Sequence, residues 1–297
     1  MGQSESKEGD GLAGRRPWRG GKSRGADDAG ASEMRDQEAT IQDEADALED
    51  DEEFVQKLQR NIKRLTAYAQ SADCELQREV AETLANQAVI ASRQVMIVEN
   101  GGLELLLPLT NSEDEEVRRL AAHALANLSV DEDNQVTMAQ EGGIEMILSL
   151  LKAHNDTDAT LRQAAKALAN LAVNPDNKRE IAKRGAIKPL VHILGGFPDA
   201  VRIEAAAALA NLAVDDDNER LIAECGGLCP VLEALASDNL ELASQAARAL
   251  RNLSVHPANK AELLALDAKK VLQKAIAAHD DEVREQCKRS LANLLRS

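Results

Sequence analysis

Ala124-Leu125-Ala126-Asn127 returns as Ala167-Leu168-Ala169-Asn170 and Ala208-Leu209-Ala210-Asn211, and with small changes as Thr83-Leu84-Ala85-Asn86, Ala249-Leu250-Arg251-Asn252 and Ser290-Leu291-Ala292-Asn293. The asparagines stand 41, 43, 41, 41 and 41 residues apart. Such a period belongs to small helical units that cannot bury their apolar faces alone and so stack into a solenoid. A second marker runs in phase with the first: Gly101-Gly102, Gly142-Gly143, Gly185-Ala186, Gly226-Gly227 and Asp267-Ala268.

The two markers divide one unit into three helices. Asp131 to Gln140 reads as a short first helix, Gly142-Gly143 as a corner needing positive φ, and Ile144 to Lys152 as an apolar second helix. Asn155 and Asp156 suit a turn and helix start, after which Ala159 to Val173 forms the longest helix. The glycine corner, the apolar second helix and the Ala-Ala-Leu-Ala-Asn-Leu type of third helix resemble armadillo repeats over roughly residues 54–297. The resemblance implies an all-α fold, a right-handed α-solenoid or superhelix of about five and a half armadillo repeats over residues 53–297, behind a disordered tail of residues 1–52.

Composition agrees with this architecture. Hydrophobic residues make up 44% of the chain but aromatics only 1%, so the core is built from Leu, Ile, Val and much Ala, whose small side chain lets helices approach closely. No apolar run reaches about 18 residues and no signal-peptide pattern is present, which predicts neither a membrane span nor secretion. The four cysteines are read as reduced thiols, and Cys225 with Cys229 lacks histidines at a zinc-ligand spacing. With no nucleophile motif and no His-Glu-x-x-His, the sequence predicts no enzyme, no metal and no cofactor. Gly21-Lys22-Ser23 is a false echo of a phosphate loop, because Arg16 stands where that loop requires glycine. Asn127-Leu128-Ser129 and Asn252-Leu253-Ser254 match the glycosylation pattern only formally, both lying in helices.

The first 53 residues differ in character. Residues 31–53 hold eleven acids against the single base Arg35 and carry −10 of the formal net charge of −16. Such a segment buries too little apolar surface to offset chain entropy. This acidity makes nucleic acid an unfavourable partner. From Phe54 the spacing of Phe54, Leu58, Ile62, Leu65 and Tyr68 predicts an amphipathic helix that caps the first unit. Met1-Gly2-Gln3-Ser4-Glu5-Ser6 fits the N-myristoylation pattern with Gly2 as acceptor. One acyl chain holds a membrane only marginally, and a second signal is offered by Arg15, Arg16, Trp18, Arg19, Lys22 and Arg24. The same stretch also reads as a flexible basic signal, with Gly2 unmodified.

Counting back from each asparagine, position −2 is always Leu, and position −6 is Val80, Ala121, Ala164, Ala205, Ala246 or Cys287. Four residues apart, these two positions share one helix face and form the predicted seam. Another face carries position −7, position −4 (Glu82, His123, Lys166, Ala207, Arg248, Arg289) and the asparagines themselves. In armadillo proteins similar to importin-alpha, an asparagine at this place holds the backbone of a bound extended chain. The resemblance thus assigns a peptide groove to Asn86, Asn127, Asn170, Asn211, Asn252 and Asn293, with His123, Lys166, Arg248 and Arg289 beside them; the other reading is that each asparagine helps end its helix or bonds the neighbouring unit. The tryptophans that such proteins carry at position −4 are missing, which disfavours recognition of nuclear localisation signals. Charges running from Glu82 to Arg289 would orient a polar ligand. The second row, Asn134, Asn177, Asn218 and Asn259 with Arg93 in the earlier equivalent place, is read as structural.

The layout as a whole is most similar to N-acylated, armadillo-only membrane anchors. That implies a non-enzymatic adaptor at a cytosolic membrane face, holding an extended segment of a protein partner. The alternative is a soluble adaptor for transport or cytoskeletal motors.

Overall fold

A computed structural model describes residues 50–152 and 157–296. The described chain is already helical at residue 50, and this helix, α1, runs to residue 69. Sixteen more follow: α2 (Cys74–Gln87), then α3 (Ala91–Glu99), α4 (Gly102–Leu109) and α5 (Glu115–Leu128), then α6 (Glu132–Gln140), α7 (Gly143–Lys152) and α8 (Asp158–Leu171). The remaining triplets are α9 (Pro175–Lys183), α10 (Ile187–Gly196) and α11 (Asp199–Leu212); α12 (Asp216–Glu224), α13 (Leu228–Leu235) and α14 (Leu240–Leu253); and α15 (Pro257–Ala265), α16 (Ala268–Ala278) and α17 (Asp281–Leu295). Among the described residues there is no strand, and no helix is long and apolar enough to cross a membrane.

Each unit is set by local chemistry. The third helices α2, α5, α14 and α17 start on Asp73, Asp114, Asn239 and Asp280, whose side chains accept from free backbone N–H groups of the first turn. Thr157 does this for α8, whereas Asn155 and Asp156, expected to open that helix, lie outside the described residues. The helix also ends at Leu171 with Ala172 as its cap, two residues before the expected Val173. The Val173 N–H turns back to Asn170 O (3.0 Å) and closes the turn. At the corner, Gly142 has φ 89°, and a Cβ on Gly143 would lie 2.7 Å from Met138 O. The first position therefore needs the left-handed region and the second needs the absence of a side chain.

The predicted seam is buried. Every residue at position −6 is at 0% exposure, and Leu84, Leu125, Leu168, Leu209 and Leu250 at position −2 are at 3% or less. Leu291 is only half-buried, because α17 ends the described array and no further unit stacks on it. α1 packs Phe54, Ile62, Leu65 and Tyr68 against the core, with Leu58 fully inside. Residues 50–53, placed with the acidic tail by their composition, belong to this helix. The reason is the setting of Asp51: 4% exposed, its carboxylate is held by Ser92 and accepts from Arg93 Nε at 2.6 Å, and the Arg93 guanidinium lies 4.8 Å above the Phe54 ring.

Buried side-chain amides bind the later units to one another. Asn177 Nδ2 donates to Leu171 O (3.2 Å) and Gln135 O (2.9 Å), Asn218 to Leu212 O and Lys178 O (both 3.2 Å), and Asn259 to Leu253 O (3.1 Å) and Glu219 O (3.0 Å). Each amide thus ties the end of one third helix to the first helix of that same unit, from a position on the next. Asn134 makes only the first kind of bond, to Leu128 O at 3.0 Å. Between α2 and α5 the connection is ionic instead, with Arg78 on both oxygens of Asp114 (2.5 and 3.3 Å).

Candidate functional site

The third helices α2, α5, α8, α11, α14 and α17 lie side by side, and their asparagines hold them in register. Asn170 Nδ2 donates to Ala126 O (3.3 Å) and Ser129 Oγ (3.1 Å), Asn211 to Ala169 O (2.9 Å), Asn252 to Ala210 O (3.1 Å), and Asn293 to Arg251 O (3.3 Å) and Ser254 Oγ (3.1 Å). In every case the accepting carbonyl is that of the residue just before the previous asparagine. Those carbonyls belong to the last turn of a helix, where no intrahelical N–H remains for them. Each amide therefore caps its neighbour's C-terminus. The two serines of the formal glycosylation patterns, both at 0% exposure, serve this network.

The donor half of the amide is thus committed to the neighbouring unit, and the acceptor half varies. Asn211 Oδ1 accepts from Arg248 Nη2 (3.1 Å), and Asn252 Oδ1 from Arg251 Nε (3.2 Å) and Nη2 (3.1 Å). Asn170 and Asn293 keep Oδ1 without a donor among the described residues. Asn127 Nδ2 is buried without any partner there, and Asn86 is exposed.

The polar residues predicted alongside do share this face. His123, Lys166 and Arg248 are half-buried, while Glu82 and Arg289 are exposed. Burial, then the charges of Arg119 and Lys166, push the His123 imidazole below its ordinary value, so it is neutral at physiological pH. Burial pushes the Glu204 carboxyl up, against the pull of Lys166 and Arg162, the latter 3.6 Å away. Glu204 breaks the simple acidic-to-basic progression by placing a carboxyl between two basic helices. Toward the end of the array, Arg251 also donates to Gln286 Oε1 (3.1 Å) and Arg289 to Glu285 Oε1 (3.2 Å). There a cleft of about 320 Å³ is lined by Arg251, Asn252, Val255, Arg289, Ala292, Asn293 and Arg296. This face can bond a chain that offers donors to amide oxygens and acceptors to guanidinium groups.

Gly2 and the basic stretch Arg15, Arg16, Trp18, Arg19, Lys22 and Arg24 lie outside the described residues. Cys229 Sγ donates to Glu233 Oε1 at 3.5 Å, and among the described residues no group of three or more His, Cys, Asp or Glu is placed to hold a metal ion.

Comparison with known proteins matches residues 93–130, 131–173, 174–214 and 215–255 to the Armadillo/beta-catenin-like repeat model. An engineered protein of known structure is 33% identical, with TM-score 0.71 over 79% of this chain and 96% of its own. A computationally designed armadillo repeat protein for modular peptide recognition is 23% identical, with TM-score 0.71 over 77% of this chain and 98% of its own. Another designed armadillo repeat protein, solved in complex with the peptide (KR)4, is 23% identical, with TM-score 0.69 over 78% and 98%. Comparison with curated sequences gave no match.

Proposed function

From the premise that this chain belongs to the armadillo/beta-catenin-like repeat family, we propose that it is a non-enzymatic scaffold holding an extended segment of a partner protein across its third helices. The observation that carries this reading is the register of the asparagine row. Its donors fix the spacing of the units, and the same accessible face presents the acceptor oxygens of Asn170 and Asn293 with Lys166, Arg248 and Arg289. Stacked helices lie about 8–10 Å apart, so each unit meets roughly every third residue of an extended chain. That designed proteins of the same fold recognise peptides supports the reading. Selection of peptides displayed against the full chain tests it. The expected peptides cross-link to α8, α11, α14 or α17 and lose binding to an Arg248→Glu/Arg289→Glu variant whose melting is unchanged. Peptides that bind this variant equally well and cross-link elsewhere would refute it.

The finer proposal is that Gly2 is myristoylated and that the basic stretch supplies the second hold on the cytosolic face of a membrane. Its support is the sequence motif alone. Intact mass of the protein from native cells tests it, together with fractionation of Gly2→Ala. An unmodified Gly2 leaves the soluble adaptor, in cytoplasm or nucleus, as the function.

A further inference from the structure

Three residues beyond the asparagine, five successive units carry an exposed valine: Val89, Val130, Val173, Val214 and Val255, each between 54% and 60% exposed. Exposed apolar residues scattered singly carry no message, but these five occupy one register. The turn they sit on favours Gly, Asn, Asp or Ser on conformational grounds, so local structure does not call for valine. Their positions are also fixed. The N–H of Val130, Val173 and Val255 donates to the carbonyl of the ladder asparagine three residues earlier, at 3.2, 3.0 and 3.0 Å. Those asparagines in turn belong to the row that aligns adjacent third helices. The valines therefore form a row with one member per unit, about 8–10 Å apart.

Acids border the middle of this row, where the first helices α6, α9 and α12 begin; α3 and α15 carry none in their first turn. The acids are Asp131, Glu132 and Asp133 after Val130, Asp176 after Val173, and Asp215, Asp216 and Asp217 after Val214. Val214 and its three aspartates line one cleft of about 350 Å³ together with Arg179. Two bases lie near. Arg179 is paired with Asp215 at 2.8 Å, and Lys178 is buried with its Nζ on Ala172 O and Val173 O. Glu132, Asp133, Asp176, Asp216 and Asp217 are exposed. The combination is an apolar row whose three middle valines are bordered by acids, of which Asp215 alone is in an ion pair among the described residues.

We infer that this edge is a second docking surface, taking an extended partner segment that carries an apolar side chain at every third residue with lysine or arginine between. The spacing selects this pattern. A polyproline II chain repeats every three residues and advances about 9.3 Å in doing so, which matches one valine per unit. Lys or Arg at the intervening positions then faces the acids. At Val255 this edge meets the asparagine face, in the cleft shared with Asn252 and Asn293; the inference rests on Val130, Val173 and Val214 and stands whether or not that face binds peptide.

The test uses the full chain and two synthetic peptides of equal charge, Leu-Lys-Pro repeated five times and Ser-Lys-Pro repeated five times, with affinity measured at physiological salt. The leucine peptide should bind at least about tenfold more tightly. A Val130→Ser/Val173→Ser/Val214→Ser variant, with unchanged melting, should reduce it to the level of the serine peptide. An Asp133→Asn/Asp216→Asn/Asp217→Asn variant should weaken both peptides. Equal binding of the two peptides, or leucine-peptide binding unchanged in the valine variant, would overturn the inference in favour of simple counter-charge attraction. Self-association of the full chain that disappears in the valine variant would also overturn it, because the occupant would then be a second copy.

Discussion

Replacing Glu219 by Gln should stabilise the protein above neutral pH and have little effect in acid. The reason lies in a register shared by the first helices. Gln94 Nε2 donates to Ala88 O (3.1 Å), Gln135 Nε2 to Ser129 O (3.3 Å), and Lys178 Nζ to Ala172 O (2.6 Å) and Val173 O (2.9 Å). At this place three units thus offer a donor to the unpaired carbonyls that close the preceding third helix. The next unit has Glu219, 5% exposed, which when ionised has only acceptors. Burial first, then Asp216 and Asp215, against one backbone N–H from His256, push its carboxyl up to about 7 from 4.5. The folded state therefore holds a proton that the unfolded chain has released between these values, and stability falls as pH rises through that interval. At about 1.4 kcal/mol per pH unit the full penalty, reached above pH 7, is roughly 3 kcal/mol. Glutamine carries the donor at every pH. Glu219→Gln should raise Tm by about 5–10 °C at pH 8, with the gain shrinking to a third or less at pH 5. Thermal melts followed by circular dichroism at pH 5, 6, 7 and 8 measure both curves. Parallel curves for the two proteins would refute the reasoning.

Asn211→Ala should cost about 0.5–1.5 kcal/mol in urea unfolding through its lost bond to Ala169 O, and an unchanged midpoint would mean that the asparagine row contributes nothing to stacking. Asp267 occupies the left-handed region at φ 56° where four other corners have glycine, so Asp267→Gly should stabilise by about 0.5–1 kcal/mol; a lower Tm would contradict this. Arg93→Met should leave Asp51 buried without its base and cost about 1.5–3 kcal/mol. Hydrogen exchange should then show faster opening confined to α1–α3, and uniform acceleration along the array would argue against a local role.

Much of this fold could be read before any coordinates, because a repeated unit presents the same requirement many times. The leucine at position −2, the small residue at −6 and the corner glycines recur at a fixed period, and their burial and backbone angles follow directly. What stayed undecided between two readings depends on partners one unit away. Nothing local to Asn211 says that its N–H group will face Ala169 O, 42 residues back, rather than a ligand. Ser129 and Ser254 looked like parts of a modification pattern, yet they accept from Asn170 and Asn293. Residues 50–53 looked like tail because composition weighs acids equally, whereas Asp51 is held by Arg93 from a different helix. The five valines were plain in the sequence, but only their exposure separates them from core residues.

The ionic and the amide connections of the array respond differently to acid. The Asp51 carboxyl is held below its ordinary value by Ser92 and Arg93, and that of Asp114 by Arg78. Their contribution is present above the ordinary carboxylate range and is lost as pH falls through the lowered values. Acidification therefore loosens the joint at α1–α3 and α5 while it relieves α12, where Glu219 gains its proton. At the start of that same helix the Asp215 carboxyl, held below its ordinary value against its burial by Arg179 of α9, adds another pair that weakens in acid. With falling pH the ionic ties at α1–α3, α5 and α9–α12 weaken together, and the amide bonds of Asn177, Asn218 and Asn259 to backbone carbonyls are what hold the units in acid.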